Sequence, residues 1–101
     1  MLKHVVLFTP RADSDPAALT AAMDKLAALV GPVPGFLDFA FGPNRDYEAK
    51  SPYTHGFVCT FTDRAAHLAY EAHPDHKASG AALVALTEGG YDGIFVADLE
   101  V

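Results

Sequence analysis

Apolar positions along the chain fall into short blocks with two periods, separated by polar or Gly/Pro punctuation. Residues 2–9 (Leu-Lys-His-Val-Val-Leu-Phe-Thr) are β-branched and aromatic and stop at Pro10, which reads as a strand. Arg11 to Pro16 is a polar connection. Ser14 or Asp15 can accept backbone N–H groups as an N-cap, and Pro16 suits a first helical turn, where its missing donor would be unpaired anyway. Leu19, Met23, Leu26 and Val30 then recur at spacings of 4, 3 and 4, one stripe of a helix that Gly31-Pro32 ends.

Phe36 to Phe41 is a second strand, opened by Pro34-Gly35 and closed by Gly42-Pro43-Asn44. Residues 43–52 are the longest polar stretch and read as a loop. Tyr53 to Phe61 alternates aromatic or histidine side chains on one parity and is the third strand. Thr62 or Asp63 can cap a short helix through Ala72, which Pro74 keeps from continuing. A further helix is expected from Ala78 to Glu88 with Ala82, Leu83 and Leu86 inward, then a break at Gly89-Gly90 and a last strand from Tyr91 to Val101.

The order is β-α-β-β-α-β with the second helix split, the ferredoxin-like pattern of an α+β protein. Such a fold puts four strands in one antiparallel sheet with the helices on one face. The other face should be polar, yet Val5 and Leu7 oppose Val6 and Phe8, Leu37, Phe39 and Phe41 share a parity, and Ile94 and Val96 oppose Phe95 and Leu99. A sheet with two apolar faces needs two covers. The simplest second cover is another copy of the chain, a twofold homodimer through the face opposite the helices.

Composition supports one domain over residues 1–101: the length leaves no room for a second, and half the residues are hydrophobic, too many for disorder. Cys59 is the single cysteine, so no disulfide framework exists within the chain. The net charge is −6, and the seven Lys and Arg residues are scattered. Nucleic acid and anionic membrane are therefore not expected partners. The apolar run Val5-Val6-Leu7-Phe8 is far too short for a membrane span, and a cytoplasmic location is expected.

Five histidines are the candidate chemistry. His4 and His55 fall in predicted strands among apolar neighbours, His67 in the short helix, and His73 and His76 bracket Pro74-Asp75 just after Tyr70-Glu71-Ala72. The ordinary explanation of one strand histidine on an apolar face is a hydrogen-bonded core residue. Two of them beside a Tyr/His-rich helix end also fit acid–base work, since neutral imidazole both donates and accepts near pH 7. A phenol such as Tyr70 can donate to a carbonyl oxygen as charge develops there. No metal is expected: Pro74 works against helical presentation of His73 with His76, and Cys59 has no Cys-x-x-Cys or His-x-x-x-His companion. Cys59 reads as a small core hydrophobe rather than a nucleophile, and no phosphate loop or cofactor motif is present.

The opening Leu2-Lys3-His4-Val5-Val6-Leu7-Phe8, the run Tyr53-Thr54-His55 to Phe61 and above all Tyr70-Glu71-Ala72-His73-Pro74-Asp75-His76 resemble the stress-responsive dimeric α/β-barrel (Dabb) family. The resemblance spans nearly the whole chain and implies a ferredoxin-like protomer, two of which pack sheet against sheet as a barrel. Most members have no established activity, but the family includes the plant olivetolic acid cyclase, which closes a linear polyketide by aldol condensation. Resemblance to that enzyme implies His76 as general base, Tyr70 as the hydroxyl on the substrate carbonyl, and His4 and His55, with His73 nearby, around a substrate pocket. No cofactor is implied. The small Ala78, Ala81, Ala82 and Ala85 of the last helix depart from the bulkier cyclase wall, so its substrate is not implied. The competing expectation is a non-catalytic stress-response or structural dimer.

Overall fold

The computed structural model describes all of residues 1–101. In chain order it has β1 (Leu2–Phe8), α1 (Pro16–Ala27), β2 (Phe36–Pro43), β3 (His55–Phe61), α2 (Arg64–Ala72), α3 (Pro74–Leu86), a 3₁₀ turn at Gly90–Gly93, and β4 (Phe95–Glu100). The strands form one antiparallel sheet in the order β2-β3-β1-β4. The ferredoxin-like expectation therefore holds. No helix is long and apolar enough to cross a membrane.

Capping sets the helix starts. Asp15 accepts from the Ala17 amide and Pro16 opens α1, which buries Leu19, Ala22, Met23 and Leu26. The helix ends at Ala27, short of Gly31: the Leu29 and Val30 amides bond three residues back, tightening the last turn, and Val30 is only half-buried beyond it. Gly35 (φ +83°) then leads into β2, where a Cβ would lie 2.5 Å from Thr62 Oγ1 and 2.7 Å from the Ala66 Cβ. Only glycine lets this turn tuck against α2.

Other expected boundaries move too, and α3 ends at Leu86 rather than Glu88. β3 begins at His55 rather than Tyr53, and the last strand begins at Phe95, after the 3₁₀ turn. The third helix begins at Pro74 rather than Ala78, because the His73 side chain accepts from the Asp75 amide and leaves Pro74 in the first turn. Its buried residues are Ser79, Leu83 and Leu86, while Ala82 is exposed. The expected parity of β2 also changes. A bulge between Phe36 and Asp38 takes up Leu37 as an extra residue, so Phe36, Phe39 and Phe41 lie on the side of their ring neighbours Phe61, Phe57 and His55.

The helices cover the sheet face that carries Leu2, Val6, Phe8, Phe57, Cys59 and Phe61, and with Leu19, Met23, Leu26, Tyr70, Leu83 and Leu86 these make one core. The opposite face presents Val5, Leu7, Val58, Phe95 and Leu99, and no part of the chain covers it; Phe95 and Leu99 are 44% and 55% exposed. One polar row crosses that face: Asp38 pairs with Thr60 and Thr60 with Lys3, whose Nζ donates to Thr60 Oγ1 at 2.9 Å.

Candidate functional site

Between the helix-covered side of the sheet and helices α2 and α3 lies a cavity of about 480 Å³, lined by His4, Arg64, His67, Tyr70, Glu71, His76 and Asp98 among apolar walls including Val6, Phe57 and Leu83. That is the size range of small-molecule pockets. Strand register supplies its floor: His4 on β1 pairs with Asp98 on β4, both side chains point inward, and His4 Nδ1 donates to Asp98 Oδ1 at 2.6 Å. Helix α2 supplies a wall, since His67, Tyr70 and Glu71 at i, i+3 and i+4 share one face. The first turns of α3 bring His76 against Tyr70, ring centroids 4.5 Å apart and edge to face.

Burial acts on the protonation of His67, His76 and Tyr70. Arg64 Nη1 donates to His67 Nδ1 at 2.6 Å, which leaves the ring proton of the neutral imidazole on Nε2. That nitrogen lies 2.7 Å from Glu71 Oε1 but out of line, so it has no hydrogen-bond partner although His67 is buried. Burial first, then the neighbouring His4, push the His67 pKa below the ordinary histidine value, against the opposing pull of Glu71 and Asp98. His76 is likewise lowered by burial, against the carboxylate and backbone of Glu71, and its Nδ1 is buried with no partner. Both imidazoles are neutral at pH 7.

Tyr70 is fully buried, and burial raises its phenol pKa, with Cys59 and Glu71 adding to the rise. Its oxygen accepts only a weak contact from Cys59 Sγ at 3.8 Å, so the phenolic proton is not consumed by that pair. The Cys59 thiol is itself pushed up to about 12, chiefly by burial. It stays a thiol and is no nucleophile. The arrangement thus offers neutral bases and a neutral hydroxyl donor around one half-open cavity.

The stress responsive A/B barrel domain matches residues 2–101. The chain belongs to this family. Among solved structures, a dimeric ferredoxin-like protein of unknown function from Jannaschia sp. CCS1 is 46% identical, over 99% of this chain and 98% of that one, with a TM-score of 0.93. Hydroxynitrile lyase from Passiflora edulis is 14% identical over 99% of this chain and 92% of its own, TM-score 0.79. SnoaB, a cofactor-independent oxygenase from Streptomyces nogalater, is 21% identical over 99% and 91%, TM-score 0.76. At such identities the two enzymes share the fold with this Dabb chain and no more. No curated protein matches the sequence at a significant level.

Of the residues singled out in the Dabb sequence, His76, Tyr70 and His4 converge on the cavity, and His55 and His73 do not. His55 pairs with Phe8, four rungs along the β1–β3 ladder from His4 and Cys59. Its ring stacks near Phe8 and Phe41, each at 6.1 Å, and its Nδ1 shares a 2.8 Å hydrogen bond with Thr54 Oγ1. His73 is taken up in capping α3, at 3.1 Å from the Asp75 amide. Both therefore leave the set of pocket residues. Arg64, His67, Glu71 and Asp98 join it. The i, i+4 spacing of His67 and Glu71 on a predicted helix signals a shared face, whereas nothing local marks Asp98, which meets His4 only through the β1–β4 register.

Proposed function

We propose that this protein binds a small neutral carbonyl compound in the cavity under its helices and acts on it by acid–base chemistry of its own side chains. The observation that carries the reading is the half-buried His76, its imidazole neutral and its buried Nδ1 unpartnered, set against Tyr70 in that cavity. Neutral His76 removes a proton next to the carbonyl, and the electron pair moves onto the carbonyl oxygen. The Tyr70 hydroxyl donates to that oxygen as charge builds. Attack of the enolate carbon on a second carbonyl of the same molecule forms the new carbon–carbon bond, and the resulting alkoxide takes the proton back from His76. This is the aldol cyclisation that the family resemblance implies. The lyase and oxygenase neighbours support the narrower point that this fold hosts small-molecule catalysis.

The same reading takes the protein as a homodimer, closed through the uncovered sheet face. Support comes from the apolar character of that face and from the description of the 46%-identical relative as dimeric.

The test is turnover of a short linear polyketide thioester, followed by product analysis. Wild type is expected to cyclise it, His76→Gln to lose roughly 10²–10⁴ in rate, and Tyr70→Phe about 10²–10³. Binding without turnover, equal in wild type and both variants, would leave a non-catalytic carrier or structural dimer in its place.

A further inference from the structure

The charge around the cavity does not suit an anion. Asp98 and Glu71 contribute carboxylates with 41% and 43% of their side chains exposed, while the one guanidinium, Arg64, is 60% exposed. Within this surround, His4, His67 and Asp98 each bring a donor atom to within 4.8 Å of the other two. They come from β1, α2 and β4, so no spacing in the sequence announces them. The two imidazole rings stand 4.5 Å apart. A second observation points to a ligand: His67 is 1% exposed, yet its Nε2 has no hydrogen-bond partner. A buried polar atom left unpaired calls for a reason.

We propose that His4, His67 and Asp98 form a binding site for a divalent first-row transition cation, with Glu71 beside it. Two imidazoles and one carboxylate are the donor set that zinc, iron(II) and manganese(II) accept, with remaining coordination positions open to the cavity. Donor atoms on such an ion, with bonds of roughly 2.0–2.2 Å, sit about 3 Å apart, so the three residues must close in slightly. Asp98 lies on the edge strand with 41% of its side chain exposed, which leaves its carboxylate room to turn. Ligation by His67 through Nε2 needs its proton shifted to Nδ1 and Arg64 turned away, which the exposure of that side chain allows. Glu71 Oε1, already 2.7 Å from Nε2, then completes the set or takes a hydrogen bond from bound water. The cation site goes beyond the proposed turnover and does not depend on it.

The experiment uses tag-free, chelator-stripped protein titrated with Co²⁺, read by visible absorption, and with Zn²⁺, read by calorimetry, without substrate. Wild type is expected to take up one ion per chain, with Zn²⁺ raising its melting temperature. Asp98→Asn and His67→Gln are expected to weaken uptake at least about tenfold, and His73→Asn, which removes an imidazole outside the donor set and keeps a capping side chain, to bind as wild type does. Folded wild type that takes up no ion, or uptake unchanged in both Asp98→Asn and His67→Gln, overturns the site. Should His67→Gln fail to fold, Asp98→Asn decides alone. Because uptake is measured without substrate, its failure leaves the turnover reading standing, and failed turnover leaves the ion site standing.

Discussion

A histidine withdrawn from water needs a hydrogen-bond partner or is held neutral by burial, and the cavity contains both arrangements. His4 has Asp98 at 2.6 Å. For His76, burial, helped by the like-charging His4 on β1, outweighs the opposing pull of the half-exposed Glu71 on α2, so its folded pKa lies below its unfolded value. The unfolded chain therefore binds the extra proton first, and stability is full above about pH 6.5 and falls as the pH drops through and below that value. Denaturant titrations of chelator-treated protein at pH 7.5 and 5.5 are expected to show the acid loss, and His76→Gln to make it shallower. The same burial that keeps the His76 base free also keeps Cys59 protonated, at a pKa of about 12. Native protein at pH 8 should resist iodoacetamide at Cys59 and react fully once unfolded, which mass spectrometry of the modified chain reads directly.

At the scale of elements, the site depends on where two short helices begin. Asp63 Oδ1 accepts from the Ala66 amide at 2.9 Å and fixes the start of α2, the helix that carries His67, Tyr70 and Glu71. Asp63→Ala is expected to cost about 1 kcal/mol of stability in denaturant unfolding. Gly35→Ala is expected to cost more, about 1–3 kcal/mol, since the added methyl meets Thr62 and Ala66 at a backbone angle that favours glycine. Much of this architecture is legible in the sequence because punctuation and period are local: Asp15-Pro16, Pro10, the stripe Leu19-Met23-Leu26 and the break at Gly89-Gly90 each say what they do. What escapes is whatever depends on a second element. Pro74 ends one helix and opens the next, and only the His73 cap tells the two roles together. The bulge at Leu37 puts Phe36, rather than Leu37, on the side that Phe39 and Phe41 share, and a single inserted residue in a ladder leaves no mark on an alternating pattern. Of the cavity, Tyr70 and His76 are readable because one motif holds both, and His4 as a histidine in a predicted strand, whereas Asp98 becomes a partner only when β4 is laid beside β1, and His55 looks equivalent to His4 until the ladder separates them.

For the whole molecule, the proposed pairing through the sheet face away from the helices sets the expected behaviour in solution. Val58 sits on β3, one of the two central strands, and points out of that face. Val58→Asp is expected to give a folded monomer by circular dichroism and analytical ultracentrifugation at micromolar concentration, where wild type sediments as a dimer; a wild-type monomer would defeat the proposed pairing. The melting temperature of wild type should also rise with protein concentration, as it does when association is linked to folding. Grease alone would accept any similar layer in any alignment. The row Asp38–Thr60–Lys3 does not: slid by one strand or matched to a stranger, the layers would trap an ammonium and a carboxylate without answering charges. In the proposed pairing that thread of polarity would make the contact choosy, steering each chain toward its own kind and into one alignment.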